Sequence, residues 1–174
     1  TAPKLSERAG ADPSAEAAAR ALGLEASDIG FGNHTPSLFS AGVPFAMIPV
    51  ANTEALARAA PTSAQTSGLL GATEVFVYTR ADADAAHSFR ARMFAPEIGI
   101  VEDPATGGAA AAFAGVVARF EDLPDGWHTL PILQGAEMSR PSLIGLEVQI
   151  ENGALAGARI AGKAVKVNEG VLYV

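Results

Sequence analysis

An acidic residue followed by a glycine-rich turn is the part of this sequence best suited to chemistry. Asp103 supplies a carboxylate, and Thr106, Gly107 and Gly108 supply backbone N–H groups three to five residues later. A carboxylate can orient or deprotonate a substrate group. The first N–H groups of a helix have no partner inside it, and they attract anions. The segment therefore predicts a site for a small anionic ligand with an acid beside it.

The same acid has a simpler structural interpretation. An aspartate just before a helix can cap the helix N-terminus and stabilise it by about 0.5–2 kcal/mol without any other role. The sequence around Asp103 is compatible with both interpretations. The two predict different partners for its carboxylate.

The elements around Asp103 follow from its neighbours. Pro104 disfavours the helical conformation at the preceding residue, so Asp103 should be extended and the helix should begin near Thr106. Residues 107–118 carry no charge, and a helix without a polar face is normally surrounded by protein. Strand-like segments lie on both sides of it in the sequence. We therefore expect a curved or nearly closed β-sheet around a helix at about 107–120.

Other segments have recognisable boundaries. Asp12 as N-cap and Pro13 at the first helical position predict a helix that ends at Gly23. Asn52 and Thr53 predict a cap for a helix at 54–60, and a further helical segment covers 63–70. Asn152-Gly153 indicates a hairpin. The predicted strands are 29–31, 44–50, 74–79, 87–94, 127–133, 143–151, 154–161 and 163–167.

Composition narrows the function classes. The chain has 174 residues, enough for one domain or two small lobes, and its net charge of −7 without a basic cluster argues against nucleic acid. The absence of cysteine excludes disulfides, thiolate metal sites and cysteine catalysis. The three histidines lack metal-ligand spacing, so we expect no metal. No apolar run spans a bilayer and no signal peptide is visible, which favours the cytoplasm. The start at Thr1 without Met suggests a processed or partial chain.

Several motifs resemble those of one family. They are Arg92-Met93-Phe94-Ala95-Pro96 with the segment 99–107, the run 134–142 (QGAEMSRPS), the run 40–44 (SAGVP) and the tail at 162–165 and 169–170. Together they resemble the PhzF-like isomerases known from phenazine biosynthesis, which share the diaminopimelate-epimerase fold. The resemblance covers nearly all of the chain, but only the second half of a family member.

The resemblance implies an α+β lobe with a curled, mostly antiparallel sheet or barrel around the central helix. It implies that residues 1–174 are the C-terminal lobe of a two-lobed protein whose active site lies between the lobes. Asp103 would be the active-site aspartate, and the N–H groups of Thr106, Gly107 and Gly108 would bind the substrate carboxylate. The family's catalytic glutamate and Gly-His segment belong to the other lobe and are not found here.

The expected function is therefore cofactor-independent proton transfer on a small carboxylated metabolite, with little activity unless the N-terminal lobe is present. Diaminopimelate epimerase itself uses a cysteine pair, so that activity is excluded. Family members are often dimers, which leaves a homodimer open. The alternative is a non-catalytic domain that binds a small anion or a protein through the same helix end.

Two positions depart from the family pattern, and four other side chains have structural interpretations. Gly108 stands where family members usually carry Ser, so a hydroxyl contact is lost while the backbone N–H remains, and Ser139 stands where they usually carry Gly. Alternation with apolar neighbours predicts that Arg90 and Arg92 lie on an exposed strand face and have a structural role. Arg140 should pair with a local acid or lie in solvent. Trp127 should anchor the start of a strand or an interface.

Overall fold

A single curled β-sheet dominates the computed structural model, which describes residues 1–61, 66–83 and 85–172. Its strands are β1 (Glu7–Arg8), β2 (Ser37–Ser40), β3 (Pro44–Pro49), β4 (Glu74–Arg80), β5 (Phe89–Ala95), β6 (Ile100–Asp103), β7 (Gly126–Thr129), β8 (Ile132–Gln134), β9 (Ser142–Glu151) and β10 (Ala154–Ala161). The main path is β1-β2-β3-β4-β5-β8-β9-β10, with β6 on β5 and β7 on β9. Pairing is antiparallel except for β3 with β4 and β5 with β8.

Four helices accompany the sheet in the described residues: α1 (Ala15–Leu22), α2 (Thr53–Arg58), α3 (Thr66–Leu70) and α4 (Gly107–Phe120). The first three cover the outer face of β2 to β5 and form one apolar core with it. Helix α4 lies inside the curl and forms the other core. Two short 3-10 turns lie at Ala26–Asp28 and Pro96–Ile98.

Small residues let α4 lie close to the strands around it. Its alanines 109, 110, 112 and 114 are fully buried, as is Phe113. The backbone of Gly115 approaches β2 so closely that a Cβ there would lie 2.5 Å from the Phe39 ring. A helix without a polar face is therefore surrounded by protein, and the predicted α+β fold with a helix at 107–120 is confirmed.

The sheet curls almost into a closed form. Its two edge strands, β1 and β10, do not pair with each other. The segment before β1 bridges them, because the Ala2 N–H donates to the Ala158 carbonyl at 2.9 Å. Just beyond it, the Ser6 hydroxyl donates to the Ala112 carbonyl of α4 at 2.6 Å. The N-terminal segment thus closes part of the opening over α4.

Local turn and cap chemistry accounts for the elements that were predicted correctly. The Asn52 side chain caps α2 by accepting from the Ala55 N–H at 2.8 Å. Asn152 and Gly153 turn between β9 and β10 with φ of 53° and 72°. The predicted strands at 44–50, 74–79, 87–94, 143–151 and 154–161 correspond to β3, β4, β5, β9 and β10, with ends shifted by two residues at most.

Two predicted boundaries were wrong, one because a different residue caps the helix and one because a proline interrupts the strand. The N-cap of α1 is Ser14, whose hydroxyl accepts from the Ala17 N–H at 3.1 Å, while Asp12 instead pairs with Arg8 and Arg119. The strand at 127–133 is two strands, β7 and β8. Pro131 lies between them and has no N–H to continue the ladder.

Two predicted strands are missing and three real ones were not expected. Residues 29–31 form only isolated bridges, and 163–167 are exposed and pair with no described strand. Strands β1 and β6 are short and exposed or half-exposed, and β2 is buried on both faces, so none shows a clear alternation. The predicted helix at 63–70 is seen as α3 from Thr66, and residues 62–65 lie outside the description.

Candidate functional site

Two strands that end facing each other bring the site together. Strand β6 runs antiparallel to β5 and ends with Asp103 opposite Met93. Strand β8 runs parallel to β5 and ends with Gln134 opposite Ala91. Since Ala91 and Met93 are two residues apart, the ends of β6 and β8 meet beside the middle of β5. This topology places Asp103 and Gln134 at one point although 31 residues separate them.

Asp103 is hydrogen-bonded to Thr106, the N-cap residue of α4. The Thr106 hydroxyl donates to Asp103 Oδ2 at 2.6 Å. Thr106 is the N-cap of α4, yet its side chain caps no helix N–H group. No hydrogen bond from a helix N–H to the Asp103 carboxylate is present among the described residues, which argues against the simple capping interpretation. The first N–H groups of α4, at Gly107 and Gly108, are exposed without a side-chain cap.

Gln134 holds the segment that carries Asp103 and Thr106. Its Oε1 accepts from the Thr106 N–H at 3.2 Å, and its Nε2 donates to the Asp103 carbonyl at 2.6 Å. The same nitrogen donates to Thr106 Oγ1 at 3.0 Å. Gln134 is fully buried. The sequence showed this residue within a motif but gave it no role, because the pairing of β8 with β5 was needed to place it.

The backbone conformation and close contacts at position 135, directly after Gln134, require glycine. Its φ is +77°, a conformation that glycine adopts without strain. A Cβ there would lie 2.6 Å from the Arg140 carbonyl oxygen and 2.7 Å from that of Pro104. The turn after β8 therefore packs directly against the backbone that follows Asp103.

Arg90 and Arg92 are paired rather than exposed on a strand face, which corrects the prediction. The Arg92 guanidinium bonds both oxygens of Glu102 at 2.9 and 2.8 Å, with both side chains 12% exposed. It also donates to three carbonyls at the end of α2, those of residues 56, 57 and 59. Arg90 lies 2.8 Å from Glu137 in the turn after β8. These pairs fix β6 and that turn to β5, so the predicted structural role stands.

The structure shows the backbone conformation at Ser139 and the space around Gly108, the two positions that depart from the family pattern. Ser139 has φ of +57°, the left-handed region that glycine favours, so the turn keeps the conformation expected of a glycine there. At Gly108 a Cβ would make ordinary van der Waals contact with the Phe45 ring at 3.8 Å, so the backbone there does not require glycine. Arg140 is exposed, and none of the ion pairs among the described residues includes it. Trp127 is the second residue of β7 and is 43% exposed, with the Arg159 guanidinium 4.0 Å from its ring centroid.

Two open cavities lie near the start of α4. One of about 310 Å³ is lined by Gly107, Gly108 and Ala111 together with the N-terminal residues Thr1 and Ala2. A larger one of about 670 Å³ is mainly apolar and borders Ala105, Pro141 and Leu143, among others. Asp103 lines neither. The carboxylate and the helix N–H groups are thus close in the fold, but these cavities do not enclose both.

A second polar cluster lies at the opposite end of α4. His34, 3% exposed, contacts the Tyr78 hydroxyl through Nδ1 at 3.0 Å and Glu121 Oε1 through Nε2 at 2.9 Å. Arg80 also binds Glu121. The hydrogen bond with His34, followed by the charge of Arg80, lowers the pKa of Glu121, while burial raises the pKa of Tyr78. We assign this cluster to anchoring the end of α4.

Residues 1–61, 66–83 and 85–172 contain neither a metal-binding cluster nor a membrane-spanning helix. No group of three acidic or histidine side chains there is arranged to hold a metal ion. In the same residues no helix has the length and apolar character needed to cross a membrane.

Comparison with known proteins gives one consistent result. The sequence profile of the family described as phenazine biosynthesis-like protein matches residues 1–170. An uncharacterized isomerase from Mesorhizobium japonicum is 45% identical over 170 residues, 94% of this chain and 56% of that protein. The trans-2,3-dihydro-3-hydroxyanthranilate isomerase of Pseudomonas aeruginosa is 36% identical over 91 residues, 52% of this chain and 32% of that protein.

Solved structures agree on the fold. A PhzF-family phenazine biosynthesis protein from Bacillus anthracis superposes with a TM-score of 0.76 at 19% identity, covering 91% of this chain and 58% of that one. A predicted epimerase from Pseudomonas aeruginosa superposes with a TM-score of 0.62 at 29% identity, covering 95% of this chain and 57% of that one. The chain therefore spans somewhat more than half the length of these relatives.

Proposed function

The chain belongs to the phenazine biosynthesis-like protein family, and on that premise we propose that it is the C-terminal lobe of a two-lobed isomerase. It supplies one wall of an active site that a second lobe completes. The observation that carries the proposal is the juxtaposition of Asp103 with the uncapped N-terminus of α4. The coverage of 56% of the Mesorhizobium relative leaves room for that second lobe.

The reaction is a proton transfer. A base breaks a C–H bond of the substrate, the double bond shifts, and an acid returns a proton to another carbon, so no oxidant or cofactor is required. The N–H groups of Gly107 and Gly108 bind the substrate carboxylate. The Thr106 N–H, which the sequence also predicted for this role, instead donates to Gln134 Oε1. Asp103 accepts a hydrogen bond from an amino or hydroxyl group of the substrate and orients it. The group that moves the proton comes from the second lobe.

Exposed apolar residues support a second lobe beside Asp103. Val101 is 80% exposed only two residues before Asp103, and Ile98 and Ile100 are also exposed. In the tail, Val165 and Val167 are 83% and 89% exposed. Clustered exposed apolar side chains are typical of a surface that another protein part covers. The absence of Asp103 from both cavities is also what half of a site would give.

The test is to reunite the chain with the part it lacks relative to its family. The region of the Mesorhizobium relative outside the matched residues can be fused to or co-expressed with this chain. The pair is incubated in D₂O with trans-2,3-dihydro-3-hydroxyanthranilate and other small amino- or hydroxy-carboxylates. We expect deuterium to enter one carbon of at least one substrate. Absence of exchange from every substrate by a folded complex contradicts the proposal.

The open cavity at Gly107 and Gly108 favours one alternative, a domain that binds small anions without catalysis. Titration calorimetry with small carboxylates separates the two. A binding domain retains its affinity as the isolated chain, whereas half of an interlobe site binds weakly alone and more tightly in the complex. Protein binding without either result would indicate an interaction domain.

A further inference from the structure

The strongest unassigned feature near the site is the buried amide of Gln134. We infer that Gln134 is a positioning residue that directs the Thr106 hydroxyl onto Asp103 and so fixes the carboxylate that faces the substrate. The inference rests on the proposed function for its catalytic consequence. The hydrogen bonds that join Gln134, Thr106 and Asp103 lie within this chain and can be tested without that function.

The orientation of the Gln134 amide is set by its backbone partners. The Thr106 N–H is a donor and requires Oε1, and the Asp103 carbonyl is an acceptor and requires Nε2. A flipped amide would place donor against donor and acceptor against acceptor. Because Gln134 is fully buried, no water would relieve that mismatch.

This orientation determines the direction of the Thr106 hydroxyl. The second hydrogen on Gln134 Nε2 points to Thr106 Oγ1 at 3.0 Å, so the hydroxyl oxygen acts as an acceptor there. Its own hydrogen is then free for Asp103 Oδ2 at 2.6 Å. The chain of donors runs from Gln134 through Thr106 to Asp103. It leaves the other oxygen, Oδ1, available for a substrate group.

The surrounding backbone makes this arrangement rigid. Gly135 lies against the carbonyl of Pro104, and the Arg90–Glu137 pair holds the following turn on β5. A site whose supporting side chains are buried and bonded keeps its reacting groups in place, and misplacement by about 1 Å costs about a hundredfold in rate. Gln134 therefore acts through Asp103 and not on the substrate itself.

The first test uses the isolated chain and amide hydrogen exchange followed by NMR. Gln134→Leu removes the acceptor for the Thr106 N–H, so we expect that amide to exchange at least about tenfold faster. Gln149→Leu is the matched control, since Gln149 lies on β9 and bonds Glu151. Unchanged exchange at Thr106 in a folded Gln134→Leu variant overturns the inference, whether or not the complex proves to be an isomerase.

The second test uses the reunited complex. Gln134→Glu keeps the size and an acceptor oxygen, but a carboxyl group has at most one hydrogen to donate, so it cannot serve both the Asp103 carbonyl and Thr106 Oγ1 as the amide does. We expect it to preserve the Thr106 amide protection while kcat falls about tenfold to a hundredfold and KM changes less than about twofold. Wild-type kcat in this variant contradicts a positioning role.

A double-mutant cycle distinguishes positioning from simple loss of stability. If Gln134 acts through the Thr106 hydroxyl, the losses in kcat from Gln134→Glu and Thr106→Val overlap, and the double variant is no slower than the slower single variant. Losses that multiply would show that the two residues act independently and would overturn the inference. Gln149→Leu should leave kcat unchanged in the same assay.

Discussion

At the residue scale, the hydroxyl of Thr106 is used in an unusual way for a helix N-cap. An N-cap side chain normally accepts from a helix N–H group, but this one donates to Asp103. The helix gives up one cap bond, and its first N–H groups stay open at Gly107 and Gly108. N–H groups left open at a helix N-terminus suit an anion-binding site.

Ser139 gives a residue-scale prediction about stability. An L-residue in the left-handed region is destabilised by about 1–2 kcal/mol, and the added freedom of glycine in the unfolded chain offsets about 0.4–1 kcal/mol. Since Ser139 has φ of +57°, Ser139→Gly should raise the free energy of unfolding by about 0.5–1 kcal/mol. Urea denaturation measures it. Asn152→Gly, at φ of 53° in a residue that tolerates this region, should gain less, and a loss of stability at Ser139→Gly would contradict the account.

At the element scale, the strands of the curled sheet enclose α4 and hold it in position. It is enclosed by strands at both sides, its N-terminus meets the ends of β6 and β8, and its C-terminus is anchored by the His34 cluster. Close approach is possible because the helix is built largely from alanine and glycine. Its packing and its far-end anchor can each be tested separately from the site.

Gly115 tests the close approach of α4 to β2. A Cβ there would meet Ser6 Oγ and, at 2.5 Å, the Phe39 ring, so Gly115→Ala must displace both side chains or the helix, and we expect a loss of about 1–3 kcal/mol in unfolding free energy. Gly107→Ala is the control in the same helix, because a Cβ there meets nothing within 4 Å. Equal stability of the two variants would show that the helix is not tightly packed.

Glu121 tests the far-end anchor through pH. Its pKa is lowered by the hydrogen bond with His34 and by Arg80, so the stability it contributes is present above the ordinary glutamate range, about 4.3, and is lost as pH falls. Tyr78 and Arg119 are the other ionisable groups nearby. The difference in unfolding free energy between wild type and Glu121→Gln should therefore stay constant from pH 7 down to about pH 5, and shrink only as the pH falls below the ordinary glutamate value of about 4.3 towards the lowered pKa. Glu147→Gln, in an exposed pair, is the control, and a difference independent of pH would contradict the assignment.

The elements that could be predicted are those defined by local chemistry. Asp103 before Pro104, the uncharged run of α4 and the Asn152-Gly153 turn all follow from neighbouring residues. Strand β2 could not be predicted, because it is buried on both faces and has no alternation. The role of Gln134 depends on β6 and β8 meeting along β5, which is a matter of long-range pairing. The paired arginines on β5 were misplaced for the same reason.

At the scale of the whole molecule, exposed apolar side chains form part of the surface both in β6 next to Asp103 and in the C-terminal segment. Val101, Val165 and Val167 lie exposed, and the predicted strand at 163–167 has the alternation of a strand but no described partner. The chain spans 56% of its Mesorhizobium relative. A second lobe that covers this surface would complete both the sheet and the site. The central claim is therefore that Asp103 acts in a site shared between two lobes.

The most direct measurement of that claim is the rate of deuterium incorporation into substrate by the reunited complex and by its Asp103→Asn variant. We expect the complex to exchange, the isolated chain to be inactive, and Asp103→Asn to be slower by about a hundredfold because the substrate is no longer oriented. Asp122→Asn, at an exposed position just after α4, is the matched control and should retain the full rate. Wild-type exchange by Asp103→Asn, in a complex that is active, would contradict the account.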